Sequence, residues 1–190
     1  MTRRLTGSRG TGLLAAIFAL AFTATIAQAA LDRHIEQPSD NWTTYVSDSF
    51  GYSLYYPAAF FEPQAIAQPG EPKTFLSFDK TAKLVVSGVV NDEGFTADTY
   101  RQTLLRDFSG YEMVEYMPRG KTWFVLSGTR AENTYYQKVL FSCAGRIINV
   151  LSITFPTAEK SFYEGLIEVI EDGFRPGAGG GSAPSRCQTS

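Results

Sequence analysis

The chain has 190 residues with 17 Lys and Arg, 19 Asp and Glu, and a formal net charge of −2 at pH 7. No basic cluster is longer than an adjacent pair, which argues against nucleic-acid binding and against polybasic membrane binding. One histidine and two cysteines are too few for the usual zinc ligand sets, so neither a metal site nor a bound cofactor is expected.

Residues 1–29 have the three regions of a secretory signal peptide. Three arginines precede an apolar run of fourteen residues over 13–26, and Ala27-Gln28-Ala29 has small residues at the two positions read by a signal peptidase. As a helix the run would span about 21 Å, less than the roughly 30 Å of a membrane core, which favours a cleaved signal over an anchor. We therefore expect a periplasmic or secreted protein without a membrane span in the mature chain.

The remaining residues divide into three parts. Residues 30–41 form a polar lead-in, 42–176 a single α+β domain, and 177–190 a flexible tail rich in Gly and Ser. Cleavage after residue 29 would remove three basic residues and no acidic one, leaving 14 basic against 19 acidic residues and a net charge of −5.

The first half of the domain consists mainly of short runs whose pattern predicts β-strands. Residues 42–46 predict a weak first strand, and 51–57 alternate so that Tyr52, Leu54 and Tyr56 share one face. Residues 58–72 read as a long loop, and long loops in compact domains are often functional. The runs 74–79 and 83–90 predict a hairpin.

The hydrophobic period then changes to that of a helix over 96–108. Thr96 is the expected N-cap and Gly110 the expected end. The apolar stripe of this helix comprises Tyr100, Leu104, Leu105 and Phe108.

Four further runs predict antiparallel strands joined by short turns: 111–117, 122–131, 133–144 and 145–156. The last is apolar on both faces, which predicts a central strand covered on both sides. Residues 157–174 follow as the clearest helix, capped by Thr157. Its predicted buried stripe is Phe162, Leu166, Ile167, Ile170 and Phe174, with a solvated acidic face of Glu164, Glu168, Glu171 and Asp172. The element order indicates an α+β domain with helices on an antiparallel sheet.

Catalytic machinery is hard to find in this sequence. The only histidine, His34, falls in the polar lead-in, where a general base would lack rigid support. No Gly-x-Ser-x-Gly elbow or phosphate-binding loop is present. A carboxylate pair remains open, with candidates Asp79, Asp92, Glu112, Glu115 and Glu132. No catalytic residue is assigned.

Cysteine and tyrosine leave two further questions for the structure. Cys143 and Cys187 would enter an oxidising compartment, where they form either one disulfide or a buried thiol and a free tail thiol. Tyr45, Tyr55 and Tyr135 are candidates for an exposed recognition surface. The favoured alternative is that both faces of the sheet are covered, because two helices cover much of a sheet of this size.

Residues 45–61, "YVSDSFGYSLYYPAAFF", resemble the first hairpin of the Mog1/PsbP-like superfamily. The endings Phe155-Pro156 and Phe174-Arg175 are also similar to those of small exported bacterial proteins. The resemblance implies an α/β/α sandwich around an antiparallel sheet and a mostly non-enzymatic role in binding or assembling partner proteins. It transfers no functional residue.

The function expected from these observations is that of an exported, non-catalytic binding or accessory domain. Its partner would be an extracytoplasmic protein or a small ligand. Two alternatives stay open: a hydrolase that uses a carboxylate pair, and a cell-envelope structural protein tethered through Cys187.

Overall fold

A seven-stranded antiparallel sheet organises the computed structural model, which describes residues 41–107, 113–177 and Cys187. Its strands and helices, in chain order, are β1 (Trp42–Val46), β2 (Ser53–Pro57), β3 (Phe61–Pro63), β4 (Lys73–Ser77), β5 (Lys83–Val90), α1 (Ala97–Asp107), β6 (Met113–Tyr116), β7 (Trp123–Arg130), β8 (Asn133–Ser142), β9 (Ile147–Pro156) and α2 (Lys160–Asp172). The predicted signal peptide, His34, the helix end at Gly110 and most of the tail lie outside the described residues.

The strand order in the sheet is β3-β4-β5-β9-β8-β7-β6, and all neighbours are antiparallel. β9 is the middle strand, as its apolar sequence predicts. β1 and β2 form a separate two-stranded sheet. Backbone hydrogen bonds in both directions between Ser53 and Arg175 join β2 to the segment that follows α2.

Each face of the large sheet has its own core. On one face Ile147, Leu151, Ile153 and Phe155 of β9 pack with β2 and with Tyr163, Ile167 and Ile170 of α2. On the other face Ile148 and Val150 pack with α1. This alternation on a single strand follows from the two-residue period of β structure. The predicted α+β class with helices on both faces of an antiparallel sheet is confirmed.

The two helices begin differently. At α1, the backbone N–H of Thr99 donates to Oγ1 of Thr96 over 3.2 Å, so the predicted cap is present. The predicted Thr157 cap is wrong, because Thr157 opens a single 3₁₀ turn and its hydroxyl bonds that of Thr134 at 3.0 Å.

The buried stripe of α2 also differs from the prediction at one position. Tyr163 is 1% exposed while Phe162 is 41% exposed, so Phe162 lies outside the stripe. The stripe Tyr163, Ile167, Ile170 and Phe174 keeps spacings of four, three and four residues, which is the helical period.

The long loop predicted over 58–72 contains part of the sheet. Residues 61–63 form β3, which pairs with β4 and places Phe61 fully in the core. The strand escapes sequence reading because three residues are too short to show alternation.

Cys143 and Cys187 form a disulfide with a Cα–Cα distance of 4.7 Å, inside the normal range for this bond. Of the two alternatives for these cysteines, the free thiols are therefore wrong. Cys143 lies in the turn between β8 and β9, so the bridge attaches Cys187 to the end of the central hairpin.

We expect Gly88→Ala to destabilise the protein by about 1–3 kcal/mol, because overpacking a core has that cost. A Cβ at Gly88 would lie 2.5 Å from Cγ of Phe50. Gly165→Ala in the interior of α2 is the matched control, since nothing lies within 4 Å of its new Cβ. The control should stabilise by about 1 kcal/mol. Urea midpoints measure both changes, and a neutral Gly88→Ala variant would contradict the packing of Phe50.

We expect the double variant Cys143→Ser, Cys187→Ser to lose about 2–4 kcal/mol of unfolding free energy. The bridge closes a loop with a sequence separation of 44 residues, which restricts the unfolded chain. Urea unfolding of the variant and of the oxidised protein measures the loss. Thiol labelling of the native, unreduced protein at either cysteine would contradict the bridge.

Candidate functional site

An open cavity of about 350 Å³ lies between the β6 edge of the sheet and the last turn of α2. We call it the aromatic groove and define it by Tyr116, Trp123, Tyr136, Lys138, Glu171 and Arg175. Its volume is at the lower end of the range for small-molecule sites.

The strands present these side chains through their ordinary alternation. Tyr136, Lys138 and Leu140 are alternate residues of β8, and Trp123 and Val125 are alternate residues of β7. Alternate residues share a face. The floor of the groove is therefore two adjacent rows on the α2 face of the sheet.

A β-bulge in β6 directs Tyr116 into the groove. Val114 pairs with Gly128 but Tyr116 pairs with Ser127, so Glu115 is the extra residue. Val114 packs on the α1 face, whereas Glu115 forms an ion pair with Lys160 of α2 at 3.2 Å and Tyr116 lines the groove. Two consecutive side chains thus face α2. Bulges re-aim side chains in this way beside functional sites.

Trp123 stands against the backbone of Gly120. A Cβ at Gly120 would lie 2.2 Å from Nε1 of the indole, so only glycine leaves room for this ring position. The backbone N–H of Gly120 also donates to the carbonyl of Trp123 over 2.8 Å. The indole is 36% exposed, and Tyr116 beside the groove is 57% exposed.

The polar centre of the groove is a cluster of Tyr136, Lys138 and Glu171. The Tyr136 hydroxyl donates to the Glu171 carboxylate, and Lys138 Nζ lies 3.4 Å from the same carboxylate. Lys138 also donates to the Glu171 backbone carbonyl over 3.0 Å, where a cation favours the end of a helix. Burial, and then the negative charge of Glu171, raise the pKa of Tyr136, which keeps its hydroxyl protonated.

Arg175 lies at the rim on the segment that follows α2. Its backbone pairs with Ser53, and Nη1 of its guanidinium donates to the carbonyls of Asp172 and Phe174. The neighbouring residue Phe174 is buried in the core, which anchors the backbone on which Arg175 stands.

The three tyrosines expected on a recognition surface do not come together. Tyr135 is 6% exposed and packs in the core under α1, so the expectation of an exposed Tyr135 is wrong. Its neighbour Tyr136 faces α2 instead and lines the groove. Sequence alternation places the two tyrosines on opposite faces, but it does not show which of them a helix covers completely.

Tyr45 and Tyr55 lie on opposite faces of the β1–β2 hairpin, since Tyr45 pairs with Leu54. Tyr45 packs edge-on against Phe75 with ring centroids 5.8 Å apart, and burial raises its pKa. Tyr55 is 37% exposed and stacks on Trp42 with centroids 5.0 Å apart. Tyr55 is thus the most exposed of the three candidates.

Two of the five candidate carboxylates, Asp79 and Glu115, have local partners. Asp79 accepts bonds from Ser77 and Thr81, which lowers its pKa, and Glu115 is paired with Lys160. Asp79 and Asp92 lie beyond opposite ends of β5. Glu112 lies outside the described residues. Within residues 41–107 and 113–177, no three His, Cys, Asp or Glu side chains converge as metal ligands.

The sequence carried a partial signal for the groove. Alternation predicts that residues 123 and 125 share a face and that 136, 138 and 140 share a face, but the helical pattern places Glu171 on a solvated acidic face. Its contact with Tyr136 spans 35 residues of sequence, and no local pattern encodes such a pairing.

No family model and no curated protein matches the sequence. Among solved structures, the chain is similar to cyanobacterial PsbP (CyanoP) from Synechocystis sp. PCC 6803, with a TM-score of 0.50 and 15% identity over 72% of this chain and 92% of that one. A structure from Bacteroides thetaiotaomicron has a TM-score of 0.44 and 17% identity over 72% of this chain and 48% of that one. The likeness to the first shows a PsbP-like fold, as the opening hairpin predicts.

The part of the chain that the structure describes has no helix long and apolar enough to cross a membrane.

We expect the unfolding free energy to fall as the pH rises above about 10. Burial raises the pKa of Tyr52, Tyr136 and Tyr163 above 10.0, and that of Tyr163 to about 12. A raised folded-state pKa stabilises the protein below the unfolded value and loses that contribution as the pH passes through the folded value. Urea midpoints between about pH 8 and about pH 12 measure the decline. Tyr163→Phe should flatten it, and an unchanged slope would contradict the burial of its hydroxyl.

Proposed function

We propose that this chain is an exported, non-catalytic binding or accessory domain that holds an extracytoplasmic protein or small ligand in the aromatic groove. The observation that carries the proposal is the convergence of Tyr116, Trp123 and Tyr136 around one cavity. Aromatic side chains combine large apolar area with a polar tip, and such residues dominate recognition sites.

Export is supported by two independent features. The first 29 residues have the pattern of a cleaved signal peptide. The Cys143–Cys187 bridge is the kind of bond that persists in oxidising compartments outside the cytoplasm.

Binding is favoured over catalysis by the state of the charged groups in the groove. Glu171 receives both the Tyr136 hydroxyl and the Lys138 ammonium at Oε2, so its charge is already paired within the protein. A mechanism with two carboxylates needs a second acid, and Glu171 is the one carboxylate among the described residues that line the groove. The cluster instead holds the end of α2 against β8 and shapes the floor of the groove.

The bond between Cys143 and Cys187 weighs against the second alternative function. A tether to the cell envelope through Cys187 needs a free thiol at that position. In the structure Cys187 is bonded within the chain.

Site-specific photocrosslinking tests the groove directly. A benzoylphenylalanine at Tyr116, which is 57% exposed, should form an adduct with the natural ligand or partner in the exporting cell. The same probe at Phe78, 64% exposed at the end of β4, is the matched control and should form none. Mass spectrometry of the adduct identifies what is held.

Two variants in the crosslinking background test the aromatic wall. Trp123→Ala should reduce the Tyr116 adduct at least about tenfold, because truncating a central aromatic anchor costs about 2 kcal/mol or more. Gly120→Ala displaces the indole and should reduce the adduct in the same direction. Equal adducts from Tyr116 and Phe78, or a Tyr116 adduct insensitive to Trp123→Ala, would sink the proposal.

A further inference from the structure

We infer that the aromatic groove takes a ligand with a carboxylate attached to an apolar or aromatic body, and that Arg175 binds the carboxylate. The inference rests on the proposed function, since it names the ligand class of the same site. It follows from the charges that line the groove and from which of them already have partners.

The charged side chains of the groove do not balance. Two cationic side chains, Lys138 and Arg175, and one carboxylate, Glu171, line the groove among the described residues. The side chains that line the groove therefore sum to a formal charge of +1 on a chain whose total is −2, and the nearby carboxylate of Asp172 lies outside this lining but close enough to raise the pKa of Tyr136. An anionic group is the complement of such a site.

Lys138 is not the group that meets the ligand. Its side chain is 18% exposed and its ammonium is shared between the carboxylate and the backbone carbonyl of Glu171. Removing it from these acceptors would leave Glu171 with an uncompensated, partly buried charge, which is costly.

Arg175 has the donors that remain. Both hydrogen bonds of its guanidinium come from Nη1 and end on backbone carbonyls, those of Asp172 and Phe174. Among the described residues it has no carboxylate partner, so its charge and its Nε–Nη2 edge are open. That edge matches a carboxylate with two parallel hydrogen bonds. Pairing of the Arg175 backbone with Ser53 fixes where the side chain begins.

The other walls of the groove fit an apolar body. Tyr116, Trp123 and Leu140 supply rings and an aliphatic side chain, and Pro118 and Pro176 also line the groove without side-chain polar groups. A ligand with both parts would place its apolar body on the indole and its acid on the rim.

A cationic ligand fits the same geometry poorly. The Glu171 carboxylate is already neutralised by Lys138 and accepts the Tyr136 hydroxyl, so no free acid lines the groove. A neutral ligand would contact the apolar side chains of the groove but would not pair with the charge of Arg175.

Three probes that share one ring and chain length separate these cases: 4-phenylbutyrate, 4-phenylbutan-1-ol and 4-phenylbutylamine. The measurement is the ¹H–¹⁵N spectrum of the oxidised domain, in which the Trp123 indole N–H reports the groove and the Trp42 indole N–H is an internal control. We expect the acid to cause saturable shifts of the Trp123 signal. The alcohol should bind at least about tenfold more weakly, and the amine should not bind.

Variants at the rim test the role of Arg175. Arg175→Gln should lower the affinity for 4-phenylbutyrate about tenfold and leave the affinity for the alcohol unchanged. Arg175→Lys should retain part of the affinity for the acid. An unshifted Trp42 signal and an unchanged urea midpoint show that the variant is folded. If Arg175→Gln lowered the affinity for the acid and for the alcohol by the same factor, the assignment of Arg175 would be overturned.

A second pair of probes identifies the source of the carboxylate. Acetyl-Ala-Ala-Phe with a free carboxyl terminus should bind if the groove takes the end of a protein chain, and its amide should not. Either this peptide or 4-phenylbutyrate binding through Arg175 supports the inference.

Three results would overturn the inference: equal binding of the acid and the alcohol, preference for the amine, or no Trp123 shift with any of the probes. Those results leave the proposed function standing if the Tyr116 crosslink forms. A missing crosslink together with acid binding would instead remove the proposed function.

Discussion

Strand β9 is the element on which the rest of the structure depends. It hydrogen-bonds along its length to β5 on one side and to β8 on the other. Its α2 face is buried, and its α1 face is buried at Ile148, half-buried at Val150 and Ser152 and exposed at Thr154. A strand in that position must bury two rows of side chains, and each row needs its own covering helix. The two cores, the placement of α1 and α2 and the sandwich architecture follow from this requirement.

The aromatic groove is a consequence of how the second layer ends. α2 stops at Asp172, and the following segment turns to pair with β2 through Ser53 and Arg175. Tyr136 and Lys138 of β8 bind Glu171 at that end, which fixes the helix to the sheet. The bulge in β6 brings Tyr116 to the same place. One set of contacts therefore both closes the fold and shapes a cavity.

The fold was largely readable in advance where a pattern was long. The strands over 83–90 and 42–46 have the predicted bounds, and the α2 stripe appears with one residue changed. Short or irregular features were missed: β3 has three residues, and the 3₁₀ turn at Thr157 shifts the start of α2. Most of the candidate site escapes sequence analysis, because the pattern points to Tyr135 where Tyr136 lines the groove, and it places Glu171 on a solvated face.

The sequence by itself determined the period of each element, the apolar pattern on both faces of β9 and the likeness of the opening hairpin to a PsbP-like fold. Those properties are local, since side-chain alternation and helical spacing depend only on neighbouring residues. Only the tertiary structure decided that Tyr136, and not Tyr135, meets a cavity, and that Cys143 and Cys187 are bonded. These depend on contacts across 35 or more residues, which the chain acquires only when the sheet forms and both helices pack on it.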